Sequence, residues 1–84
     1  MRFIDDPLLV NYIETLGQRL AAGLNGDTDH LRFFLISNKL INAFAAPGGR
    51  LAVFTGLVLT TRTEAELASV MAHELAHIAP RHLP

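Results

Sequence analysis

Two short apolar runs meet at Pro47-Gly48-Gly49-Arg50, and that junction limits the fold more than any other stretch of the chain. Proline presets one backbone angle of a tight turn, and glycine takes up positive φ without steric cost, so the chain reverses here. Ile41 to Ala46 leads into the turn and Leu51-Ala52-Val53-Phe54-Thr55 leaves it. The pair predicts a β-hairpin with its tip at the Pro-Gly-Gly segment. Upstream, Leu31 to Ile36 reads as another strand. Both of its faces are largely apolar, which predicts a central or doubly covered position.

Helices flank these strands. Asp5-Asp6-Pro7 offers an N-cap and a first-turn proline. Leu8, Leu9, Tyr12, Ile13, Leu16 and Leu20 then recur at helical spacing as one apolar stripe. That helix is expected to end near Gly23, before the polar run Asn25-Gly26-Asp27-Thr28-Asp29. Gly56 to Thr60 reads as a link. Thr61-Arg62-Thr63-Glu64 matches a capping box, and Thr63-Glu64-Ala65-Glu66 is an overlapping candidate. The helix that follows carries Leu67, Val70, Met71, Leu75 and Ile78 as its apolar positions, and Pro80 predicts a stop near Ala79. The order helix, strand, hairpin, helix gives an α+β arrangement. An antiparallel or mixed three-stranded sheet packs against two helices, and residues 1–84 form one small domain at most.

Charge and composition narrow the partners. The formal net charge is −1, and Arg2, Arg19, Arg32, Lys39, Arg50, Arg62 and Arg81 are spaced singly. No basic patch interleaved with aromatics appears, which argues against nucleic acid. The chain has no cysteine, so disulfides and thiolate metal sites are excluded. Two acids interrupt Met1-Arg2-Phe3-Ile4-Asp5-Asp6-Pro7, which does not read as a signal peptide. The apolar stretch near Leu51 to Leu59 is far too short to span a bilayer.

The second helix contains His73-Glu74-Leu75-Ala76-His77, an HExxH motif. Residues four apart share a helical face, so His73 and His77 can direct imidazole nitrogens at one Zn2+ ion. Glu74 is placed to take a proton from a water at that ion. Met71, Leu75 and Ile78 give this helix a buried side, and the motif is expected close to it. The bland alternative is two surface histidines with Glu74 as an intrahelical charge partner. Zinc usually needs a third protein ligand. His82, His30 and Glu66 are the candidates inside the chain, and none has the right spacing. Peptide can join such a site as an added strand, along either Asn42-Ala43-Phe44-Ala45 or Leu51 to Phe54.

Asp6-Pro7, Tyr12-Ile13, Leu16-Gly17, Phe33-Phe34-Leu35-Ile36, Asn42-Ala43-Phe44-Ala45, Gly48-Gly49, Thr55-Gly56-Leu57, the stretch from Glu66 through Ile78 and Arg81-His82 together carry a resemblance. The chain resembles the M48 family of zinc metallopeptidases, and within it the bacterial periplasmic outer-membrane quality-control proteases that carry tetratricopeptide repeats. The resemblance implies a zincin-like half domain, His73 and His77 as zinc ligands and Glu74 as catalytic base. It places Asn42, Ala43 and Phe44 near the active-site side of the sheet. It implies peptide or misfolded protein as substrate and a periplasmic or membrane-associated setting. Family members take a third ligand, a glutamate, from a helix well downstream. Residues 1–84 therefore look like the N-terminal part of a catalytic domain, with apolar surface left exposed and prone to self-association. A non-catalytic metal-binding or interaction module on the same scaffold is the alternative reading.

Overall fold

The computed structural model describes residues 2–24 and 30–78. Helix α1 spans Pro7–Ala21, strands β1, β2 and β3 span Arg32–Ile36, Ala43–Ala46 and Arg50–Phe54, and helices α2 and α3 span Thr55–Thr60 and Glu64–Ile78. The three strands form one mixed sheet in the order β1-β3-β2. The hairpin forms where the sequence predicts it, with Gly48 at φ 84° and Gly49 at φ 75° in its tip. β1 runs parallel to β3, with Arg32 opposite Arg50 and Ile36 opposite Phe54.

The middle of the sheet belongs to β3, so of the central or doubly covered position expected for residues 31–36 the central one is not taken. β1 is flanked on its outer side by the N-terminal segment, where Phe3 bridges Ile36. One face of the sheet carries Phe33, Leu35, Ala43, Leu51 and Val53 into the main core with Ile13, Leu16, Leu67, Met71 and Leu75. The opposite face carries Ile36, Ala52 and Phe54 in a smaller cluster, with Phe44 packed on it. Both long helices therefore cover a single face.

Asp6 caps α1, its carboxylate accepting the amide of Leu8 at 2.9 Å. The buried row of α1 is Ile13, Leu16, Gly17 and Ala21, turned from the expected stripe, while Leu8, Leu9 and Tyr12 face solvent. Gly17 explains the rotation: a Cβ there would lie 2.5 Å from the Phe33 ring. The bare backbone thus settles directly on β1. Tyr12 donates its hydroxyl to Glu64 at 3.0 Å and so ties α1 to α3.

Residues 55–60 are helical rather than a link. Six residues hold too little periodicity to be read as a helix. Two contacts fix the segment: the Gly56 amide donates to the Asn38 carbonyl at 2.8 Å, and Leu57 is buried. A Cβ on Gly56 would collide with the carbonyls of Lys39 and Leu40. The expected helix stop at Ala79 lies outside the described residues.

Candidate metal centre

The local sequence of α3 sets the geometry of the candidate site. Thr63 accepts the Glu66 amide at 3.2 Å, and Glu66 accepts the Arg62 amide at 3.2 Å. The second of the two capping registers is therefore the one in use. Leu67, Met71 and Leu75, four residues apart, are fully buried and anchor one side of the helix. His73 and His77 sit on the opposite, exposed side, one turn apart, and Glu74 is half-buried between the two sides. The histidines are thus not close to the buried side, as the sequence suggests, but face away from it.

One ligand atom each of His73, Glu74 and His77 lies within 4.8 Å of the others. The two imidazole rings stand edge to face with centroids 5.1 Å apart. Donors on a common zinc at about 2.1 Å lie no more than about 4 Å apart, so modest side-chain rotation closes this set on one ion. Two neutral imidazoles with an adjacent carboxylate fit a divalent transition metal. The other candidate ligands do not join them. His30 is exposed just before β1. Glu66 is occupied in the cap. His82 lies outside the described residues.

The two edges of the sheet differ sharply. Along the outer side of β1, Glu14 accepts the Phe33 amide at 3.2 Å and Gln18 donates to the Leu31 carbonyl at 3.1 Å. Ile4 donates to the Leu35 carbonyl at 2.8 Å, and Ser37 donates to the Arg2 carbonyl at 2.9 Å. Most of the outward main-chain groups of that edge are thus taken. β2 forms the other edge. Phe54 donates to the Asn42 carbonyl at 3.1 Å, and Ala43 pairs with Val53 and Ala45 with Leu51. Antiparallel pairing alternates, so 42, 44 and 46 bond to β3, and the main-chain groups of 43 and 45 point outward. The Ala43 amide is taken by the Asn42 side chain at 2.8 Å. Among the described residues, the Ala43 carbonyl and both Ala45 groups are left at the edge. β2 also packs against α3. Of the two strands considered for peptide addition, Leu51 to Phe54 is excluded because it is central. Glu14 and Gln18 are the residues sequence reasoning missed, and their only signal is a polar pair four residues apart beside a buried row.

The sequence model of peptidase family M48 matches residues 7–83. The chain belongs to that family. It is 49% identical over 80 residues to the beta-barrel assembly-enhancing protease of Yersinia pestis, a match covering 95% of this chain and 16% of that one. With the beta-barrel assembly-enhancing protease of Escherichia coli K12 it shares 48% identity over 80 residues, at the same 95% and 16% coverage. With the mitochondrial metalloendopeptidase OMA1 of Schizosaccharomyces pombe it shares 36% over 72 residues, covering 84% of this chain and 21% of that one. The chain thus spans about a sixth of the length of its bacterial relatives. An M48 metallopeptidase implies a divalent metal, and His73, Glu74 and His77 form a group that could hold one.

Proposed function

We propose that residues 1–84 are the N-terminal part of a zinc metallopeptidase catalytic domain, with His73 and His77 as metal ligands and Glu74 as catalytic base. The observation that carries this is the convergence of the three ligand atoms within 4.8 Å on α3, in a chain of family M48. Bound zinc would supply Lewis acidity toward a peptide carbonyl and its attacking water. The half-buried Glu74 carboxylate takes the water proton as the oxygen adds to the carbonyl carbon. Glu74 then passes that proton to the leaving nitrogen as the C–N bond breaks. By resemblance, a glutamate from a downstream helix completes the ligand set.

The open edge of β2 supports a peptide substrate held as an added strand, with the Ala45 amide and carbonyl as main-chain partners. Main-chain recognition of this kind suits unfolded or misfolded protein. The names of the bacterial relatives support a periplasmic or membrane-associated setting. Leu40, Ile41 and Leu59 are strongly exposed and favour self-association of the isolated chain.

The test is zinc per chain, by elemental analysis of metal-saturated and desalted protein. The expected result is near-stoichiometric zinc, lost in His73→Ala and in His77→Ala and kept in Glu74→Gln. A folded chain that keeps its zinc in both histidine variants defeats the assignment, and one that retains none shows that these three residues need the downstream ligand to hold the ion.

A further inference from the structure

The face of the sheet turned away from α1 and α3 is an aromatic groove with a cation at one end. Ile36 and Ala52 form its floor, and Phe3, Phe34 and Phe44 stand as its walls. Phe3 packs edge to face on Phe34 with centroids 5.8 Å apart, and Phe44 does the same on Phe54 at 5.6 Å. The rings thus brace one another in pairs and hold the groove open between them. Its volume is about 430 Å³, and Arg50 closes one end. Among the described residues, no acidic side chain lines it. The parallel register also sets Arg32 directly opposite Arg50 on this same face.

We infer that this face docks an extended peptide segment in which a large apolar side chain is followed closely by a carboxylate. The apolar side chain fills the space between the phenylalanine walls, and the carboxylate pairs with Arg50. The volume lies within the usual range of about 300–1,000 Å³ for ligand sites. Charge complementarity selects the acidic partner, because Arg50 is the one charged side chain among the described lining residues and a carboxylate pairs with it directly. The groove lies across the sheet from α3, so docking here neither needs nor touches His73, Glu74 and His77. The inference stands apart from the metal-site reading.

The experiment is an amide NMR titration of the ¹⁵N-labelled 84-residue chain. The probe is acetyl-Gly-Phe-Ala-Asp-Gly-amide, and its asparagine counterpart is the neutral control. Saturable shifts at Phe34, Phe44, Arg50 and Ala52, absent at His73 and His77, are expected. Affinity should fall roughly fivefold with the asparagine probe and with Arg50→Gln, as a partly exposed ion pair dictates. It should also weaken as salt rises. Phe34→Ala, at a partly exposed position, should remove binding while the circular dichroism stays native. Equal binding of both probes, an unaffected Arg50→Gln variant, or shifts confined to other surfaces would overturn the proposal. So would phosphatidylcholine vesicles that perturb these amides when the peptide does not, which would make the face a lipid contact instead.

Discussion

Gly17→Ala sets two effects of known sign against each other. Glycine inside a helix costs about 1 kcal/mol relative to alanine, so propensity alone makes the substitution stabilising. Packing opposes it. The new Cβ would lie 2.5 Å from two atoms of the Phe33 ring and 2.7 Å from its root carbon. Phe33 is buried in the core, so its ring cannot swing aside. The helix must lift from β1 instead. Overpacking of this kind costs about 1–3 kcal/mol. Lifting also stretches the Glu14–Phe33 bond at 3.2 Å and the Gln18–Leu31 bond at 3.1 Å, both at the contact line. Each such bond is worth about 0.5–1.5 kcal/mol. The net expectation is destabilisation by about 1–2 kcal/mol, a fall in Tm of roughly 5–15 °C for a domain of this size. Thermal and urea melts followed by far-ultraviolet circular dichroism measure it. Gly23→Ala is the internal control, since a Cβ there meets only the Leu20 carbonyl at an ordinary 3.6 Å. A Gly17→Ala protein as stable as the parent, or more so, refutes the close-approach account of how α1 seats on the sheet.

Two further outcomes follow from the same contacts. Tyr12 has its pKa raised, first by desolvation, then by its hydrogen bond to Glu64 and by the Glu64 charge, with Arg19 opposing. The neutral phenol is the favoured form, so its stabilising contribution is complete below the ordinary value of about 10 and is lost as pH rises through the folded value. Tyr12 is the chain's single tyrosine and there is no tryptophan, so near-ultraviolet phenolate absorbance reports it directly. A midpoint at or below the ordinary value, or one that Glu64→Gln leaves unmoved, contradicts the assignment. At the sheet edge, Ala45→Pro removes an amide that points away from β3, so the melting temperature should stay within a few degrees. Binding of fluorescein-labelled casein, followed by anisotropy, should weaken severalfold. Unchanged binding would show that peptide does not add to β2.

The chain announces its local structure clearly and its sheet order not at all. The hairpin, both long helices and the cap on α3 follow from short-range chemistry at Pro47-Gly48-Gly49, Asp6-Pro7 and Thr63-Glu66. The place of β1 does not, because an apolar strand can sit in the middle of a sheet or at an edge sealed by other means. Here Glu14, Gln18 and the N-terminal segment do the sealing, from elements distant in sequence. The rotation of α1 is equally hidden. Leu8, Leu9 and Tyr12 look like core by spacing, and only the meeting of Gly17 with Phe33 shows which row is pressed on the sheet. For the candidate site, the spacing of His73 and His77 gives their shared face, but not that the face looks away from the core.

The unequal edges give a reason for the groove on the far face. A peptide added to β2 is held through its main chain, and every peptide offers the same main-chain groups. Asn42 narrows the offer further by taking the Ala43 amide, leaving the Ala45 amide as the donor at that edge. Such a site orients an extended chain beside α3 and reads little of its sequence. Selection among unfolded chains then has to come from side chains bound elsewhere. The face lined by Phe34, Phe44 and Arg50 reads two side-chain properties that an edge cannot, apolar bulk and negative charge. It belongs to the same three strands that position β2 against α3. A segment docked there is carried on the same sheet as the strand proposed to hold substrate, so tethering would raise the local concentration of the attached chain at the edge without touching the candidate metal centre.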